Sequence, residues 1–192
     1  IVDIQDKSIT YYVREKATES EFASSQKSYS LRTYYSSASC SMDMNNEEIT
    51  SLTNTMEYRI NGGEFINAGD IKKIPVSEFA DSLSENETCV FEVRYMRRED
   101  YPVGKIKTFI IHPRPAISSS NLSYDPATFI LSGVSKDMQY REKGKSTWKS
   151  VSGATVNLKT LVNGRTDVQI EVRYKPQTIS TNNYRFASDI VV

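Results

Sequence analysis

Apolar and polar residues alternate strictly through two late stretches of the chain. Cys89, Phe91, Val93 and Tyr95 alternate with Val90, Glu92 and Arg94, and Val168, Ile170, Val172 and Tyr174 alternate with Gln169, Glu171 and Arg173. Successive side chains of a strand point to opposite faces, so each stretch predicts a half-buried strand with an apolar inner face and a Glu/Arg outer face. Met56 and Tyr58 alternate with Glu57 and Arg59 in the same way, and are expected in the core. Asn61-Gly62-Gly63 between Met56–Ile60 and Glu64–Ile66 predicts a hairpin, because Asn and Gly accept the positive φ of tight turns. Lys143-Gly144-Lys145 stands at the matching place, ahead of Thr147-Trp148-Lys149. Asn163-Gly164 marks another turn before a strand expected over Asp167–Tyr174. Helix is scarce. Val76–Leu83 is the best candidate, one or two turns with Ser77 as its cap, and no counterpart is expected later in the chain.

The pattern also repeats. Tyr12-Val13-Arg14, Val93-Arg94-Tyr95 and Val172-Arg173-Tyr174 share one core, with Val13 80 positions before Val93 and Val93 79 before Val172. Met56-Glu57-Tyr58-Arg59 recurs 82 positions on as Met138-Gln139-Tyr140-Arg141. At that offset Ser36, Ser37, Ser41 and Asp43 fall on Ser118, Ser119, Ser123 and Asp125, and Leu52 falls on Val134. Self-similarity at a fixed period points to an array of one module. Two complete copies are expected, at 34–114 and 115–192, behind the closing strands of an earlier one at 1–33. Tyr11–Leu31 lines up with Phe91–Ile111 and Ile170–Ile190. Pro113-Arg114-Pro115 lies at the second joint, where two fixed φ angles predict a short stiff linker. The other joint falls at Arg32–Ser36, and Ile1 opens in mid-pattern, so a segment of a longer protein is expected. Copies of about 80 residues with six or seven strands are close to the lower size at which a β-sandwich buries enough surface alone, and an all-β fold of tandem sandwiches is expected.

Composition narrows the function classes. Twenty-four basic and 24 acidic residues cancel, so bulk charge recruits neither nucleic acid nor an anionic membrane. No apolar run approaches the roughly 18–20 residues of a membrane span. Cys40 and Cys89 both fall in the first full copy, on inward faces, where the second copy has Leu122 and Val168. Two readings stand: a disulfide, which would imply an oxidising compartment, or two buried thiols packing as small hydrophobes.

The paired signature resembles a repeat of bacterial cell-surface and S-layer-type proteins. It runs as a Met-Glu-Tyr strand, a Gly-rich turn, a Trp and a Tyr-x-Val-Arg strand. Here those pieces are Thr55–Tyr58 with Asn61–Gly63, Met138–Tyr140 with Trp148, and then Val93–Tyr95 and Val172–Tyr174. Tyr12–Thr18 followed by Ala23-Ser24 resembles the end of such a repeat. The first copy departs from it, with Phe65 near the Trp place and with its two cysteines. The resemblance implies Ig-like modules outside the cell, acting as spacers, lattice parts or stalks. The expected partners are then neighbouring modules, further copies in a lattice, and cell-wall glycan.

Candidate chemistry is sparse. Trp148 is expected to cover its hairpin, and a sugar platform is the sharper alternative. Arg14, Arg94 and Arg173 recur on the polar face, where cross-strand ion pairs with Glu57 or another acid are expected, and module or lattice contacts are the alternative. His112 is the single histidine, expected exposed at a strand end, which leaves a His-based zinc site or a Ser-His-Asp triad without material. Asp43 and Asp125 are expected to cap turns, since calcium would need about 6–8 oxygens. Arg97-Arg98-Glu99-Asp100 is expected as a solvated loop, and the sequons at Asn86 and Asn121 carry little weight in a bacterial protein. No nucleotide-binding glycine loop, nucleophile elbow or Cys-x-x-Cys pair is present. The expectation is a non-enzymatic structural segment without cofactor or metal, and the alternative is an adhesin or carbohydrate-binding accessory module of a larger extracellular enzyme.

Overall fold

A computed structural model describes residues 9–31, 37–98 and 101–192. The joint expected at 32–36 and the Glu99-Asp100 half of the charged patch lie outside the described residues. The chain divides into two compact units. The first holds the described residues up to Asp43 with those of Ile49–Ile74 and Val90–Phe109, and the second holds Met44–Glu48, Pro75–Cys89 and Ile110–Val192.

The fold is all-β. The opening hairpin is β1 (Ile9–Val13) against β2 (Lys27–Leu31), with Tyr11 opposite Tyr29. Then come β3 (Ser41–Asp43), β4 (Glu48–Thr50), β5 (Met56–Ile60), β6 (Ile66–Asn67) and β7 (Lys73–Pro75). A short helix α1 (Ser77–Asp81) precedes β8 (Cys89–Tyr95) and β9 (Lys107–His112). After a 3-10 turn at Ser119–Asn121 follow β10 (Ser123–Asp125), β11 (Ile130–Ser132), β12 (Met138–Glu142), β13 (Lys149–Ser150) and β14 (Thr155–Asn157). Helix α2 (Lys159–Val162), β15 (Ile170–Tyr174), β16 (Gln177–Ser180) and β17 (Asn183–Arg185) close the described chain.

Pairing follows the period-two pattern. Inner residues of β8 (Cys89, Phe91 and Val93) are buried, and β8 pairs antiparallel with β5 so that Met56, Tyr58 and Ile60 face Tyr95, Val93 and Phe91. β12 and β15 pair in the same register: Met138 faces Tyr174, Tyr140 faces Val172, and Glu142 faces Ile170. Sheet order recurs as well, β3-β4-β7 and later β10-β11-β14. In the second unit the sheets β10-β11-β14 and β13-β12-β15 enclose Leu131, Val134, Met138, Val151, Val156, Leu158 and Val172, which makes a sandwich core. Each such side chain contributes about 1.5–3 kcal/mol relative to exposure. The backbone keeps the same rhythm, at places the sequence marks and at others it does not. Positive φ occurs at Glu47, Ser51 and Gly62, and again at Phe129, Gly133 and Gly144, each 82 positions on. Val76 N–H donates to Glu47 O at 2.9 Å, and Leu158 N–H to Phe129 O at 2.8 Å.

Five expectations are corrected. The helix does have a counterpart, α2, at the 82-residue offset. Ser77 does not cap α1: Val76 is the N-cap residue and no side chain bonds there, the first turn being held by Ala80 N–H on Val76 O. The strand expected from Asp167 begins only at Ile170. The hairpin of Tyr11–Leu31 is not repeated after β15. There the chain forms β16 and β17, and β17 lies parallel to the end of β9, with Arg185 beside His112 and Asn183 beside Ile110. Only then does the chain return to β15, through a Val172–Val191 bridge. His112 is consequently half-buried rather than exposed, and its Nε2 is buried without a hydrogen-bond partner.

Candidate functional site: paired arginines against one aromatic ring

The outer face of each β5/β8-type pair carries two arginines on adjacent strands, placed diagonally by the register. In the first unit Arg59 Nε donates to Glu92 and Arg94 Nε donates to Glu57, each at 2.6 Å. The hairpin after β5 folds Phe65 against both guanidinium groups, 3.6 Å from the Arg94 carbon and 4.6 Å from that of Arg59. The second unit repeats the arrangement. Arg141 Nε donates to Glu171 at 2.6 Å, and the Trp148 ring centroid lies 4.3 Å from the Arg141 guanidinium carbon and 4.1 Å from that of Arg173. A cation near a ring face gains about 0.5–2 kcal/mol, more as water is excluded. Trp148 thus sits against two arginines, one on each of two neighbouring strands.

The Arg94–Glu57 pair follows the sequence reading, whereas Arg173 differs. Opposite it stands Gln139, not a carboxylate. With the amide oxygen turned toward it, Gln139 Oε1 accepts from Arg173 Nε at 2.7 Å and Nη2 at 2.9 Å. Burial, and then repulsion from Arg141, hold the Arg173 guanidinium below the usual arginine range; Glu47 and Glu171 pull it upward and Arg114 adds to the depression. It remains a cation at neutral pH.

Arg114, between the two prolines, is gripped from several sides. Its guanidinium bonds both oxygens of Glu47, Nη1 to Oε1 at 2.8 Å and Nη2 to Oε2, and Nε reaches Asp81. Nη1 also donates to the Ala187 carbonyl at 2.8 Å, and the Phe186 ring lies 5.6 Å from the guanidinium carbon. The bonds to Glu47 and then Asp81 raise this arginine above its usual value against the cost of burial. Nothing local announces the clamp, since Glu47 and Asp81 lie 67 and 33 residues away along the chain.

Cys40 and Cys89 are free thiols, both buried. Burial pushes each up, with Lys107 opposing it at Cys40, so the nucleophilic thiolate is disfavoured. Asp125 caps its turn, accepting from Ala127 N–H at 2.9 Å and Thr128 Oγ1 at 2.6 Å. Arg14 lies in the exposed stretch after β1. An apolar cleft of about 410 Å³ opens in the second unit beside Leu122, Val168 and Ile170. Ile170, half-buried, lines it 79 positions after Phe91, which is fully buried. Among the described residues no group of three or more His, Cys, Asp or Glu side chains is placed to hold a metal ion, and no helix is long and apolar enough to cross a membrane. Comparison of the chain with protein-family models, with curated proteins and with solved structures finds no match.

Proposed function

We propose that the chain is a structural segment of a secreted or surface-anchored bacterial protein, built from tandem Ig-like sandwiches at 34–114 and 115–192 and serving as spacer, stalk or lattice part. The observation that carries this reading is the Arg114 clamp at the Pro113-Arg114-Pro115 joint. Glu47 and Asp81 of the 34–114 segment and Ala187 of the 115–192 segment all lie with Arg114 in the second compact unit, and one guanidinium holds all three. A free linker has no use for such a knot. A spacer that must hold a set geometry does. The recurrence of strand register and positive-φ positions at one offset supports the repeat, and further copies of the module would extend it.

Spin labels at Glu85→Cys and Lys145→Cys test the joint. Both sites are exposed, while the native thiols are buried and react poorly. One narrow distance distribution is expected for the parent chain, and a broad one after Arg114→Ala, which leaves two carboxylates without their shared cation. Equal breadth in both proteins would refute a clamped joint.

A further inference from the structure

We propose that Trp148 and Arg173 bind a carboxylate-bearing sugar, a uronate unit of an acidic polysaccharide. The two arginine–ring sites of the chain serve as mutual controls, because they share a scaffold and differ at the residues that decide charge.

In the first site both guanidinium groups are neutralised, Arg59 by Glu92 and Arg94 by Glu57. In the second, Arg141 has Glu171, but the Glu57 place is taken by Gln139, which offers Arg173 a neutral acceptor. Within the β12/β15 pair one guanidinium is therefore left without a carboxylate of its own, the nearby Glu47 being held by Arg114. The named bonds to Gln139 engage two of the five guanidinium N–H groups. A planar fork of this kind matches a carboxylate in two-point contact, which a lysine ammonium cannot do.

The surroundings change in the same direction. The first hairpin carries Asn61, Gly62, Gly63 and Glu64, whereas the second carries Lys143, Gly144, Lys145 and Ser146. Lys149 faces Tyr140 where Ile66 faces Tyr58. Lys143, Lys145 and Lys149 are all exposed, so the second hairpin presents a basic rim that the first lacks. Glu142 near the turn is spoken for by Arg165, through bonds of 2.7 and 3.1 Å. Phe65 is replaced by Trp148, half-exposed, with a larger face and an indole N–H donor. A sugar ring stacks its C–H face on an indole while its carboxylate reaches the neighbouring guanidinium, and lysines at the rim steer an anionic chain toward the site. The first site has neither the spare charge nor the indole.

The test titrates the full chain with hexagalacturonate and follows the fluorescence of Trp148, the single tryptophan. Cellohexaose and inorganic phosphate are the controls for a neutral sugar and for charge alone. Saturable binding of hexagalacturonate is expected, with little response to either control. Gln139→Glu restores the carboxylate of the first site, and should weaken binding by at least about tenfold. Its melting temperature should not fall, because Arg173 gains a counter-ion. Trp148→Phe should weaken binding, read by calorimetry in the absence of the indole. An affinity unchanged in Gln139→Glu would overturn the assignment. So would equal binding of cellohexaose or of phosphate, or no binding of hexagalacturonate at millimolar concentration.

Discussion

Phe91→Ala is expected to destabilise the chain by about 3–5 kcal/mol, the range for removing a buried aromatic from a packed core. Phe91 is fully buried and stacks on Tyr58, ring centroids 5.3 Å apart and planes within 5°. Its removal takes away both transfer energy and an aromatic contact worth about 0.5–1.5 kcal/mol. The matched change Ile170→Ala should cost far less, about 1–2 kcal/mol. Ile170 is half-buried and lines the cleft, so some of its surface is already without protein neighbours. Denaturant titration of both variants measures the contrast. Equal losses would mean that the two places are packed alike, against the structure.

Gly133→Ala should be the most damaging small substitution, costing about 2–5 kcal/mol. Its φ of +79° lies in the left-handed region, worth about 1–2 kcal/mol against a side chain. A Cβ there would also stand 1.8 Å from the Asn121 carbonyl oxygen, so backbone must shift, and such overpacking adds about 1–3 kcal/mol. The 3-10 turn at Ser119–Asn121 ends at the residue whose carbonyl makes the clash. Ser51, 82 positions earlier, has φ +64° and carries a side chain. Ser51→Gly should therefore be neutral or stabilising. Thermal unfolding of the two variants checks both signs, and a harmless Gly133→Ala would show that this turn is placed differently.

What the sequence disclosed follows from which forces are local. The strands were legible because alternation of Phe91 and Val93 with Glu92 and Arg94 states both the period and the buried face. The registers were half-legible: the 82-residue offset predicts that Tyr58 and Tyr140 are equivalent, but not that they face Val93 and Val172. Helix α2 leaves little signal in the sequence, because Lys159–Val162 is four residues long and Asn163-Gly164 carries only the mark of a turn. In the fold Asn163, at φ +43°, is the residue that ends the helix. Positive φ at Glu47 and Phe129 leaves no trace in composition, since neither is Gly or Asn. The arginine–ring sites were seen in fragments. Arg94, Arg173 and Trp148 are each marked by the repeat, while the meeting of two guanidinium groups at one ring needs the cross-strand register. The Arg114 clamp depends on partners distant in sequence, so no window along the chain contains it. The return of β17 onto β9 was invisible for the same reason.

Pulling single molecules of the full chain from its ends tests the tandem arrangement most directly. Two sandwiches at 34–114 and 115–192 predict two separate unfolding events of similar size, each releasing about 26–29 nm of contour, as about 80 residues at 3.3–3.6 Å each require. One event releasing the whole chain at once, or two events of clearly unequal length, would contradict it.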